Sequence, residues 1–334
     1  MTGTGTERRA TVLGGTGFLG RHLRAGFRSA GFHVVCVSRA LPDPSPPTRV
    51  PDESFVAFDL LAASPRELHA LLADTDADVV VNAAGAVWGV TEQHMHRANT
   101  GLVTALVAAL HGTPRGPRLI QLGSVHEYGA GTHGAGFAED GTEAPVTPYG
   151  RSKLAASRSV LDAARAGALD GVVLRMANVI GPGAPAGSLL GDVAAHLERY
   201  VDAPTATDAE LLLPPLRAER DFVDVRDVVD AVLAAARAPR GEVSGRAVNI
   251  GSGRAVRTGE VVERLLALSG LPVRLVERAA DGVAPGAAVD CQKLDVSLAR
   301  RLLGWEPRRG LDASLSGLLS SLSLASTPPV TSSE

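Results

Sequence analysis

Gly14-Gly15-Thr16-Gly17-Phe18-Leu19-Gly20 follows a short apolar run at 11–13 and opens a segment with helical spacing. The stretch satisfies Gly-x-Gly-x-x-Gly from Gly15 and Gly-x-x-Gly-x-x-Gly from Gly14. Glycines at these points permit a tight strand-to-helix turn, let the backbone approach a pyrophosphate, and let the helix pack close to the strand. The helix N-terminus then offers free N–H groups and the positive end of its dipole to the phosphates. A glycine pattern alone is weak. At the first strand–helix junction it predicts a dinucleotide-binding turn.

Outward from this turn the chain alternates between two kinds of segment. Apolar runs at 33–38, 55–60, 78–83, 118–122, 172–176 and 247–251 read as strands. Segments at 19–29, 65–72, 99–110, 149–166 and 227–236 carry helical spacing. The runs are apolar throughout rather than alternating, which fits a parallel sheet covered on both faces. The expected fold is α/β: a Rossmann-type doubly wound parallel sheet with a smaller C-terminal substrate-binding cap. Residues 1–178 and 221–254 are assigned to the dinucleotide-binding domain, 179–220 and 255–325 to the cap, and 326–334 to a disordered tail. Segments 258–268 and 297–303 read as cap helices, 181–187 and 211–218 as turns or crossings, and 42–51 as a proline-rich loop.

Composition narrows the class. The chain has 334 residues, 45% hydrophobic and 21% charged, as a globular protein should. A formal net charge of −3 gives no electrostatic reason for nucleic acid or an anionic membrane as partner. No run reaches the ~18 consecutive apolar residues of a membrane span, and 1–9 lack the apolar core of a secretory signal. Of the two cysteines, Cys36 lies in a strand-like run and Cys291 far from it, so free thiols in a reducing cytoplasm are expected rather than a disulfide. His94 and His96 have no partners at metal-ligand spacing, and no metal site is expected.

After the second strand a dinucleotide site offers the adenosine ribose an acid or a cation. An acid accepts from a free 2′-hydroxyl and repels a 2′-phosphate; an arginine does the reverse. Here Ser38-Arg39 stand in that place, with no acid before Asp43. This favours NADP(H), with NAD(H) the alternative; a solvated loop residue is the other reading of Arg39. Asp59-Leu60 are placed to meet the adenine, or Asp59 simply ends a strand at a turn.

Tyr149-Gly150-Arg151-Ser152-Lys153 puts a phenol and an ammonium four residues apart, on one face of a helix. A phenol titrates near 10; a neighbouring ammonium and a positive nicotinamide ring favour the phenolate. Lowering it by ~3 units requires about 4 kcal/mol. Tyr149 could then give a proton to a nascent alkoxide or take one from an alcohol while a cofactor carries the hydride. The spacing recurs by chance, so order along the chain matters: the glycine turn, then Asn82-Ala83-Ala84-Gly85, then Ser124, then the Tyr–Lys helix.

In this order, from about residue 10 to 307, the chain resembles the short-chain dehydrogenase/reductase superfamily. Later motifs resemble its extended branch, the NAD-dependent epimerase/dehydratase-like proteins: Leu174-Arg175-Met176-Ala177-Asn178, Arg220-Asp221-Phe222-Val223-Asp224, Asn249-Ile250-Gly251 and Leu303-Gly304-Trp305-Glu306-Pro307. The resemblance implies that Ser124 holds the reacting oxygen, Tyr149 is the acid/base, and Lys153 holds the nicotinamide ribose. It implies a cofactor groove lined by Asn82, Ala83 and Ala84, and Asn99 as a structural support of the active-site helix on the cofactor side. It places Asn178 and Arg220 at a substrate diphosphate; a structural pairing of Arg220 with Asp224 or Asp227 is the alternative. A homodimer through 99–110 and 149–166 is the family's habit.

Two departures shape the expected activity. The second diphosphate-binding arginine of many nucleotide-sugar enzymes has no counterpart in Ala284-Pro285-Gly286-Ala287. Sugar-nucleotide dehydratases follow their catalytic hydroxyl with Asp and Glu, whereas Val125 and His126 follow Ser124. His126 faces the substrate side if the strand continues, as a second proton donor or a neutral cleft residue. The expectation is reduction of a ketone on a nucleotide-linked 4-keto-6-deoxysugar. A nucleotide-sugar epimerase retaining NAD, a reductase of a non-sugar carbonyl, and a non-catalytic nucleotide sensor are the rivals.

Overall fold

The computed structural model describes residues 8–40, 52–87, 89–131, 134, 136–202, 209–278 and 291–322. The proline-rich loop, the stretch 284–287 and the tail 326–334 lie outside these residues.

The strands are β1 (Arg8–Leu13), β2 (Phe32–Ser38), β3 (Glu53–Ala57), β4 (Val79–Asn82), β5 (Arg118–Ser124), β6 (Asp170–Met176), β7 (Asn178–Ile180), β8 (Glu210–Leu213), β9 (Glu219–Asp224), β10 (Ala247–Ile250), β11 (Ala255–Arg257), β12 (Arg274–Glu277) and β13 (Cys291–Gln292). Seven of them form one parallel sheet in the order β10-β6-β5-β4-β1-β2-β3. The reversal of winding beside β1 and β4 is the switch point at which open α/β sheets bind ligands.

Why the strands lack alternation is visible in their packing. Val79 and Val81 enter one core with Leu23 and Val232, while Val80 between them enters another with Leu68, Leu106 and Val160. Both faces are covered, so every position is apolar. Fully burying one such valine is worth about 1.5–3 kcal/mol. The cover on the second face is α2 (Pro65–Asp74) with α4 (Leu102–Leu110) and α5 (Pro148–Arg165); α1 (Phe18–Ser29) covers the first.

The glycine turn is held tightly. Gly14 has φ +74°, and a Cβ there would lie 2.8 Å from the Ala84 backbone nitrogen. A Cβ on Gly20 would fall 2.2 Å from the Gly14 carbonyl oxygen, so only glycine lets α1 start this close to β1. Both cysteines are free and buried.

Several segments differ from the sequence expectation. The helix expected from Asn99 begins earlier, as α3 (Glu92–His96), and reaches α4 through a π-helical turn at Arg97–Gly101. β3 stops at Ala57, because Asp59 Oδ1 accepts from the Leu61 and Ala62 amides and turns the chain. Part of the crossing expected at 211–218 is strand β8, paired with β12; the prolines at 214–215 end the strand rather than abolish it. Helices Leu189–Asp202 and Leu311–Ser320 were not legible in the apolar spacing. They pack with Thr258–Ser269 on a third core containing Leu190, Leu197, Val261 and Leu265. A second sheet, β11-β9-β13 with β7 beside β9, carries Arg220 and Asn178.

Candidate active site

A groove of about 260 Å³ opens at the switch point. Gly14, Thr16, Gly17, Ser38, Arg39, Asp59, Leu60, Ala83 and Ala84 all line it, as do His94, Ala98 and Leu102, which the sequence reading left out. Its floor is the start of α1, where Gly17 supplies no side-chain cap and leaves the first-turn amides to a ligand. Arg39 is exposed at the rim; Ser38 is buried and donates to the Ala40 carbonyl at 2.6 Å. A pyrophosphate can reach the uncapped amides across a surface that any Cβ on Gly14 would spoil, so the chain fits a dinucleotide. That cofactor would supply the hydride.

Asn82 and Asn99 act from behind the groove wall. Asn82 is 1% exposed, donates to Gln121 Oε1 at 2.8 Å and accepts from the Ala84 amide at 3.2 Å. Its polar atoms are engaged inside the protein, so it shapes the wall at Ala84 rather than lining it. Asn99 Oδ1 accepts from the Ala86 amide at 2.9 Å; its Nδ2 donates to the Ala86 carbonyl and to Ser152 Oγ, each at 2.9 Å. Phe18, Leu19 and Gly20 form the first turn of α1, and Leu19 packs on the core.

Ser124, Tyr149 and Lys153 converge where β5 meets the first turns of α5. Thr147 caps α5, accepting from the Gly150 amide at 3.0 Å, and Pro148 takes the first helical position. Lys153 follows Tyr149 by one turn, 8% exposed, and its Nζ donates to the Leu122 carbonyl. The Ser124 hydroxyl hydrogen-bonds the Tyr149 phenol. The His126 ring stands edge-on to Tyr149 with centroids 5.6 Å apart.

Burial is the main cause that pushes the Tyr149 phenol up to about 12; the Ser124 hydrogen bond opposes it and the Glu127 charge adds to it. Burial also lowers Lys153 below the ordinary lysine value, against the pull of Glu127. By accessibility Tyr149 is only half-buried, and the Lys153 ammonium is turned to the Leu122 carbonyl. A phenol carries its proton at neutral pH. That state suits delivery of a proton to an alkoxide formed by hydride addition to a ketone.

On the substrate side, Asn178 Nδ2 donates to the Asp221 carbonyl at 3.0 Å. Arg220 Nη1 donates to the Glu219 carbonyl at 2.9 Å. Asp224 pairs with Arg226 at 2.6 Å and Asp227 with Arg309 at 2.5 Å. A larger cleft, about 1070 Å³, opens between residues 252–254 and the start of Leu311–Ser320, but neither Ser124, Tyr149 nor Lys153 lines it. Among the described residues there is no group of three or more His, Cys, Asp or Glu able to hold a metal ion, and no helix is long and apolar enough to cross a membrane.

Residues 10–251 match the profile of the NAD dependent epimerase/dehydratase family. The chain belongs to this family. It is an NAD(P)-dependent enzyme of the extended short-chain dehydrogenase/reductase type, as the order of motifs implied. Among curated relatives, a dTDP-6-deoxy-L-talose 4-dehydrogenase (NAD(P)(+)) of Kitasatospora kifunensis is 45% identical over 91% of this chain and 92% of its own length. A UDP-glucose 4-epimerase of Azospirillum brasilense is 30% identical, covering 91% and 89%. The solved structure of MoeE5 with UDP-glucuronic acid and NAD superposes with a TM-score of 0.76 at 27% identity, covering 94% of this chain and 98% of that one.

Glu127 and Arg175 are the site residues that sequence reasoning did not single out for a role. A signal existed for Glu127: Ser124-Val125-His126-Glu127 has the Ser-x-x-Glu spacing of a capping box, and the box forms.

Proposed function

We propose that this enzyme reduces a ketone at C4 of a nucleotide-linked 6-deoxysugar, using NAD(P)H. The observation that supports the reading is Tyr149 beside Ser124 at the end of β5, with Lys153 one helical turn further along α5. A substrate carbonyl between the two hydroxyls accepts hydride on carbon, and its oxygen takes the Tyr149 proton. The 45% identical relative is named for oxidising the C4 alcohol of dTDP-6-deoxy-L-talose, the same bond run in reverse. Asn178 and Arg220 meet the diphosphate in this reading, and Arg39 meets a 2′-phosphate, which favours NADPH.

The epimerases among the relatives support a second reading, in which one sugar carbon is oxidised and re-reduced without net change of the cofactor. Turnover separates the two. Incubation with dTDP-4-keto-6-deoxysugars and NADPH should consume one NADPH per alcohol formed. Interconversion of 4-epimeric sugars with no added cofactor consumed would replace this reading with the epimerase.

A further inference from the structure

The proposed reaction leaves one buried charge at its centre without a role. Glu127 lies three residues past Ser124 with a fully buried side chain. Its Oε1 accepts from the Ser124 backbone N–H at 2.8 Å and from Ser157 Oγ at 2.9 Å. Its Oε2 accepts from Arg175 Nε at 2.7 Å. The donors come from the end of β5, from α5 and from β6, so one carboxylate joins all three elements. Room for it is made by Gly123, where a Cβ would stand 2.7 Å from Oε1.

The charged and titratable groups around it are few. Arg175, 1% exposed, faces it from β6; Lys153 and Tyr149 act on it from α5. Glu143 pairs with the far end of Arg175, whose guanidinium lies 4.7 Å from the Tyr128 ring centre, and Glu139 adds a negative charge nearby. Burial pushes the Glu127 carboxyl up, opposed by the Arg175 and Lys153 charges and by the hydrogen bonds from Ser124 and Ser157; an ionised carboxylate stays out of water only where it is paired and hydrogen-bonded in this way. Tying strands together could be done as well by apolar packing. Acting on the Tyr149–Lys153 pair requires a charge.

We propose that Glu127 is a positioning residue of the reaction, holding the Ser124 backbone and α5 in register while serving as the buried counter-charge of the Lys153 ammonium. The inference rests on the catalytic reading of Ser124, Tyr149 and Lys153. The sign of its effect is fixed: the negative charge favours the protonated form of both Lys153 and Tyr149. Removing it lowers the apparent pKa of the pair, whichever group gives up its proton first.

The test is the pH profile of kcat for carbonyl reduction in wild type, Glu127→Gln, Glu127→Asp and Ser157→Ala. Gln keeps the shape and loses the charge. Its NH2 then meets the Arg175 N–H donor to donor where Oε2 accepted, so the side chain and with it Ser124 should shift and kcat fall about ten- to hundredfold, and the alkaline fall of kcat should move down by about 1–2 pH units. Ser157→Ala removes a hydrogen bond to the same carboxylate but no charge, and should leave that midpoint where it is. An unmoved midpoint in folded Glu127→Gln overturns the proposal. If that variant does not fold, Glu127→Asp decides: the charge stays and the reach is lost, so kcat should drop with the midpoint unmoved, and a shifted midpoint overturns it. Full activity of Tyr149→Phe in the same assay would instead overturn the catalytic reading on which this one stands.

Discussion

Asn99 Nδ2 and Ser152 Oγ are hydrogen-bonded at 2.9 Å, joining the wall of the cofactor groove to the helix that carries Tyr149 and Lys153. Ser152 Oγ in turn donates to the Tyr149 carbonyl at 2.8 Å, so the link ends on the Tyr149 backbone. Cofactor wall and proton donor are thereby parts of one hydrogen-bonded unit. Asn99→Ala leaves the half-buried Ala86 N–H and C=O without this partner, at a cost of about 1 kcal/mol. Chemical denaturation should show the loss as a lower midpoint, with kcat reduced as well. An unchanged midpoint would mean that the link is not a structural one.

Tyr149→Phe should lower kcat by roughly 10²–10⁴ while cofactor affinity, read by fluorescence titration, stays near wild type. Because the acid form is the active one in reduction and the phenol is pushed up to about 12, wild-type kcat should be level across neutral pH. It should fall only on the far alkaline side, as Tyr149 loses its proton. Alcohol oxidation needs the phenolate and should instead speed up as pH rises. A reduction rate that collapses between pH 6 and 8 would contradict the raised phenol.

Arg39 stands exposed on the rim of the groove beyond Ser38, where the adenosine ribose is expected. A charge-assisted bond from it to a 2′-phosphate is worth about 1.5–3 kcal/mol, or roughly ten- to a hundredfold in affinity. The ratio of kcat/KM for NADPH over NADH should therefore exceed one at low salt and shrink as salt rises. Arg39→Ala should mostly erase the ratio and Arg39→Asp should abolish or reverse it. A wild-type preference for NADH would remove the main support for reductase over epimerase.

Arg220→Lys tests the substrate side. The charge is kept and the planar fork is lost, so bidentate contact with a diphosphate is lost too. KM for a nucleotide-linked keto-sugar should rise about tenfold, the worth of one charge-assisted hydrogen bond, with kcat little changed. Equal binding of nucleotide-linked and free sugars by the wild-type protein would remove the diphosphate from the reading.

Features set by short-range rules were legible in the chain itself. Gly14 and Gly20 announce a turn that a Cβ would block, and Tyr149 and Lys153 share a helix face because four residues make about one turn. Unbroken apolar runs announced a sheet covered on both sides, since Val79, Val80 and Val81 must all be dry whichever way they point. What depends on distant partners was not legible. That Asn82 bonds to Gln121 is decided by how β4 pairs with β5. Helix Leu189–Asp202 and strand β8 gain their apolar partners only from Thr258–Ser269 and β12, far along the chain. The proton-donor state of Tyr149 is likewise tertiary. The sequence by itself determined which groups could do the chemistry, through spacing alone; only folding decided their charge, because burial and the Glu127 carboxylate act through space.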